Sequence, residues 1–243
     1  MKYIFANWKM YLTLEESMRL TRELVAGYSQ TSTVTAALFP TALATSSVTA
    51  LCRGSAFAVG AQTCAWTPTG AYTGAISAHF FASAGCTYAL VGHSERRHIF
   101  GETDSDVRRK IEACLDAGLT PVVCIGETKE EKDAGKREYR LKKQLLTAFD
   151  NLDLTGKDIM IAYEPVWAIG TGEACVPLDA DDVHGWIRQE LTQYTSAAIP
   201  ILYGGSVDAS NAKSFLELDT IDGVLVGSGS IKSDSFFSIL KSA

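Results

Sequence analysis

Four polar side chains stand at the ends of short apolar runs, where residues of different runs can converge on one pocket. Glu164 follows Ala162 and Tyr163 and is itself followed by Pro165, whose fixed φ stiffens the exit of the chain. A carboxylate placed there suits proton abstraction. His93 comes one glycine after Ala89, Leu90 and Val91, and the polar run 94–97 predicts a tight turn into a short helix. That puts an imidazole at positive partial charge. Asn7 and Lys9 follow Tyr3, Ile4, Phe5 and Ala6, and their spacing of two projects both to one side. Taken singly, each has a plainer reading: Lys9 as a solvated charge, Glu164 as a carboxylate marking the surface.

Two further loops carry neutral donors. Tyr203 leads into Gly204, Gly205 and Ser206, and Val226 into Gly227, Ser228, Gly229 and Ser230. Glycine amides approach an anion without a Cβ in the way, so such a pair of loops can cradle a phosphate without Arg or Lys. Segment 165–172 contains Val166, Trp167 and Ile169, too apolar for a solvated loop, and two glycines at its tip. With Pro165 at one end and Pro177 at the other, it reads as a lid on short hinges.

The elements that must position these groups are also legible. Strand-like runs occur at 3–6, 34–39, 57–61, 88–91, 121–125, 159–163, 199–203 and 223–226. Several are continuously apolar, as parallel strands covered on both faces require. Their starts lie about 31 residues apart on average, the room a strand, loops and a crossover helix need. Between them, Val107, Ile111, Cys114, Leu115 and Gly118 form one helical stripe, and Val183, Trp186, Ile187, Leu191 and Tyr194 another. Thr13 with Glu16 predicts a capping box, and Gly27 and Gly118 stand where helices should stop. The pattern predicts an α/β fold, a closed (β/α)8 barrel in a single domain over 1–243, with the polar strand ends at its C-terminal face.

Composition narrows the function classes. A chain of 243 residues with 47% hydrophobic and 21% charged residues buries a full core. The formal charge of −6 lacks long single-sign blocks, so no basic field exists to hold a nucleic acid. No apolar run reaches a membrane-spanning length, and the first ten residues are too polar for a secretory signal. The six cysteines include no CxxC pair, which favours reduced thiols in a cytoplasmic protein.

The segments FANWKM (5–10), GAYTG (70–74), VGHSERR (91–97), VVCIGE (122–127), AYEPVWAIGTG (162–172), YGGSV (203–207) and DGVLVG (222–227) resemble the triosephosphate isomerase family in order and spacing, end to end. The resemblance implies reversible proton transfer between dihydroxyacetone phosphate and glyceraldehyde 3-phosphate, in glycolysis and gluconeogenesis. It implies no metal or organic cofactor, and a homodimer. Carried over by residue, it makes Glu164 the base, His93 the electrophile, and Lys9 and Asn7 the groups facing the substrate oxygens. Gly170, Ser206, Gly227 and Ser228 become phosphate contacts, with Ser94 and Glu95 behind the site. Three departures stand out: Ser228 where the family usually repeats glycine, Glu173 to Cys175 past the lid tip, and Ala75 where a glutamate is common. The uncharged stretch 64–76, with Trp66 and Tyr72, is expected to be covered by a second copy. A barrel that only binds a phosphosugar would need a damaged acid-base pair, and another phosphosugar enzyme would lack the Asn-Trp-Lys, Gly-His-Ser-Glu and Tyr-Glu-Pro set.

Overall fold

The computed structural model describes residues 1–29, 31–169 and 175–243. Eight strands form in chain order: β1 (Lys2–Asn7), β2 (Val34–Phe39), β3 (Phe57–Ala61), β4 (Tyr88–Val91), β5 (Thr120–Ile125), β6 (Met160–Tyr163), β7 (Ile201–Tyr203) and β8 (Gly223–Val226). Each pairs in parallel with the next, and β8 returns to β1, so the sheet closes into a barrel with helices between the strands. The expected (β/α)8 architecture is therefore the observed one. β7 starts two residues later than expected because Pro200, at its entrance, has no N–H to give to the ladder.

The continuous apolar runs are explained by two cores. Phe5, Phe39, Leu90, Val122 and Met160 fill the barrel interior. The alternate strand residues, among them Ile4, Val91, Val123 and Ile161, face the helices in a larger outer core. Backbone fit is tight at the closing seam, where Tyr3 pairs with Gly223 and a Cβ on Gly223 would lie 2.0 Å from the Tyr3 carbonyl oxygen.

Helix ends follow the predicted chemistry. Thr13 caps helix Leu14–Gly27 and forms the full capping box with Glu16. Gly118 takes a φ of +75°, the left-handed stop after helix Asp104–Asp116. Gly27 has a different cause: a Cβ there would stand 2.5 Å from the Phe237 ring, so packing against the C-terminal helix, Ser233–Leu240, excludes one. Among the described residues, no helix is long and apolar enough to cross a membrane.

Candidate active site

β1 delivers Asn7, buried, to the C-terminal mouth of the barrel, and two residues on the chain bends sharply. Lys9 has a φ of 47°, left-handed backbone that a non-glycine residue holds only when its surroundings fix it. Here they do. Asn7 Oδ1 accepts from Lys9 N at 3.0 Å, and Gln62 Nε2 donates to the carbonyls of Lys9 at 2.8 Å and Phe39 at 2.9 Å. The ammonium so aimed lies 2.7 Å from Glu95 Oε1.

β4 ends at Gly92, whose φ of +74° and whose neighbours leave no room for a side chain: a Cβ would come within 2.7 Å of Arg97 and Val107. Its backbone is clamped from both sides, the N–H donating to Glu102 Oε1 at 2.9 Å and the carbonyl accepting from Arg97 Nε at 2.6 Å. His93 then caps the short helix Ser94–His98, its Nδ1 accepting from the Glu95 N–H at 3.3 Å. A backbone N–H only donates, so the contact suits the tautomer with its proton on Nε2. Nε2 lies 3.3 Å from Glu164 Oε1.

Glu164 follows β6, its N–H donating to the Ile125 carbonyl at 2.7 Å, and is 2% exposed. Its Oε2 accepts from the Ser94 N–H at 2.7 Å, so the first amide of the short helix holds the carboxylate. Two glycines make room for it. A Cβ on Gly126 would fall 1.8 Å from the Glu164 carbonyl oxygen, and one on Gly204 would fall 2.9 Å from Glu164 Cγ. Cys124, on the same side of the barrel interior, is pushed well above its ordinary range by burial and then by the Glu164 charge, so it stays a thiol.

A cavity of about 280 Å³ opens over these residues, lined by Asn7, Lys9, His93, Gly205, Ser206 and Ser228, among others. The sequence-predicted groups from the first, fourth, seventh and eighth strand ends therefore share one space. Glu164 is not itself a lining residue; its carboxylate lies behind His93, which is one, 3.3 Å from Nε2. Among the described residues, none accepts a hydrogen bond from the backbone N–H of Gly205, Ser206, Gly227 or Ser228, which leaves these donors for an anion. Ser228 opens the 3-10 turn Ser228–Ser230, and left-handed non-glycine backbone is confined, among the described residues, to Lys9 and Asn151. A Cβ at 228 is thus accommodated without strain. Gly170, expected as a lid contact, lies outside the described residues, as do Glu173 and Ala174.

One group escaped the sequence reading. Glu127, fully buried, accepts from Tyr163 Oη at 3.1 Å, Trp167 Nε1 at 2.8 Å and Arg137 Nε at 3.1 Å. Arg137 in turn makes a bidentate pair with Asp179 at 2.8 and 3.0 Å. The 3-10 turn Val166–Ala168, at the near end of the segment read as a lid, is thereby tied to the barrel through a carboxylate. The signal was present: Glu127 comes two residues after an apolar strand, as Glu164 comes one residue after another.

Similarity to known proteins bears on this arrangement. The family model for triosephosphate isomerase matches residues 2–243. A triosephosphate isomerase of Roseiflexus sp. (strain RS-1) is 44% identical over 96% of this chain and 94% of its own length. Those of Aquifex aeolicus (strain VF5) and Dictyoglomus thermophilum are 39% and 40% identical, each over 99% of both chains.

Proposed function

Since this chain belongs to the triosephosphate isomerase family and interconverts dihydroxyacetone phosphate and D-glyceraldehyde 3-phosphate, we propose that Glu164, His93, Lys9 and Asn7 carry the proton transfer. The α proton of a hydroxyketone is weakly acidic, so its removal needs a placed carboxylate and donors for the oxygens that gain charge. Glu164 is the base. His93 presents Nε2–H to the enediolate oxygens, Lys9 adds positive charge, and Asn7 gives a fixed amide. Gly170, Ser206, Gly227 and Ser228 hold the phosphate, with the lid excluding water so that the enediolate keeps its phosphate.

The observation that carries this reading is the opposed pair: Glu164 Oε1 at 3.3 Å from His93 Nε2, with the Glu95 amide donating to the other ring nitrogen. Steady-state turnover of glyceraldehyde 3-phosphate by Glu164→Gln, together with α-proton exchange into deuterated water, tests it. A loss of kcat between about 10²- and 10⁴-fold is expected, with exchange falling in step. A variant as fast as the native chain would sink the assignment.

The active unit is a homodimer built on the loop 64–76. Its support is an apolar surface around the site: Trp66 is 39%, Tyr72 56% and Met10 92% exposed, and Phe100 stands out beside them. A cavity of about 610 Å³ between Met10, Leu43 and Phe100 can receive such a loop from a second copy. Ala75 needs no side-chain partner to shape the loop, because its N–H already closes a turn on the Tyr72 carbonyl at 3.0 Å. The chain acts as one domain in the cytoplasm, a reading supported by a barrel that uses its first and last strands for closure and by six free thiols.

A further inference from the structure

The cavity over the proposed site has to take an anion, yet its fixed charges are mostly acidic. Lys9 is the one ammonium in its wall, and Glu95, also in the wall, already matches it at 2.7 Å. The remaining charged lining residue is Asp208, two positions after Ser206, and no cation of the described residues pairs with it. Asp208 is pinned. Its Oδ1 accepts from Ser210 N at 2.7 Å and from Ser210 Oγ at 2.6 Å, and its N–H donates to Asn211 Oδ1 at 2.9 Å. Asn211 Nδ2 donates in turn to the Ser206 carbonyl at 3.1 Å, so Ser206 and Asp208 are held in one bend. That bend touches the loop after β8: a Cβ on Gly229 would stand 2.7 Å from the Val207 carbonyl oxygen and 3.3 Å from Asp208 Cα. Asp208 therefore sits at the seam of the two loops whose amides are open to an anion. The Ser210 hydroxyl and amide hold its carboxyl below the usual range, so it is ionised wherever a phosphate monoester is a dianion. Asp208 is exposed and is not among the residues placed against a second copy.

Resting on the phosphate assignment above, we propose that Asp208 sets the strength of the phosphate grip, a fixed negative charge that opposes the dianion while neutral amides hold it. Like charges in a solvated rim repel modestly, and salt screens the repulsion. The carboxylate acts on the phosphate end alone, so it weakens substrate and transition state alike and raises KM without slowing the chemical step. Inorganic phosphate, which has only that end, is opposed in the same way.

The test measures KM for glyceraldehyde 3-phosphate and the inhibition constant of inorganic phosphate in the native chain, Asp208→Asn and Asp208→Lys. Asparagine keeps an Oδ1 for Ser210, so the bend is retained while the charge is lost. At about 0.01 M ionic strength, where charges act over about 30 Å, both constants should fall about 3- to 10-fold in Asp208→Asn and further in Asp208→Lys. At about 1 M, where the reach is about 3 Å, native and variant values should meet. The change in kcat should be far smaller. Ser210→Ala loosens the turn but keeps the charge, and it should not lower KM. Constants that ignore residue 208 at low ionic strength overturn the proposal, as does a fall that persists undiminished in salt, or a rise in KM on loss of the carboxylate. Inhibition by inorganic phosphate separates the two levels: competitive inhibition indifferent to residue 208 sinks this inference alone, whereas no inhibition of the native chain sinks the phosphate loops and this inference with them.

Discussion

The His93 ring and the Glu164 carboxylate face each other across 3.3 Å, and each is held from behind by an amide of the same short helix. Their usefulness depends on placement to a fraction of an ångström, and placement is set by residues with no chemistry of their own. Gly204 is one. Its replacement by alanine would drive a methyl to 2.9 Å from Glu164 Cγ with the Tyr163 carbonyl at 3.2 Å behind, so the carboxylate must move. Gly204→Ala should lower kcat by about 10²-fold with a much smaller change in KM, read by steady-state kinetics. The groups proposed to react stood out in the sequence because each ends an apolar run, where a polar residue is conspicuous. Gln62, Gly126 and Gly204 were not legible in their roles. They act through contacts to backbone and side chains of neighbouring strands, and only strand pairing brings those partners within reach.

At the scale of elements, strand order and helix ends were written plainly, since apolar runs and capping pairs are local signals. The internal account of the Glu127 cluster was not, because its partners come from segments up to 40 residues away. This cluster joins β5, the helix Arg137–Phe149, the lid's near end and the helix Pro177–Leu191. Glu127→Leu would leave the Tyr163 hydroxyl and the Trp167 indole N–H buried without this acceptor, and Arg137 with Asp179 alone. Urea unfolding should show a loss of about 3 kcal/mol, because removing the carboxylate strands the buried Tyr163 hydroxyl and weakens the hold on the Arg137 charge. A glutamine at 127 keeps an acceptor and should recover part of that loss.

For the molecule as a whole, acid stability is set in part by His184, which is fully buried on the helix Pro177–Leu191 with Tyr163 and Tyr203 rings 5.7 and 6.4 Å away. Burial lowers it from 6.5 to about 3. The unfolded chain therefore takes up a proton at a pH where the folded one does not. Above pH 6.5 the ring adds no proton-linked cost, and stability drains away as pH falls from there toward 3. At pH 4.5 the loss from this ring alone is roughly 2–3 kcal/mol. Urea midpoints at pH 7.5 and 4.5 should therefore converge in His184→Leu relative to the native chain; equal pH slopes in both would contradict it. Sedimentation checks assembly: the proposed dimer should run at twice 26.2 kDa at micromolar concentration, and a stable species at the single-chain mass would rule it out. The barrel closes by pairing β1 with β8, so Lys9 and the loop after Val226 meet only when the last strand arrives. During synthesis the leading strand leaves the ribosome early and waits, one edge bare, for a mate encoded more than 200 residues downstream. A nascent chain stalled between Glu164 and β8 carries the proposed base and imidazole but no closed vessel for them, so the last strand must be made before catalysis can begin.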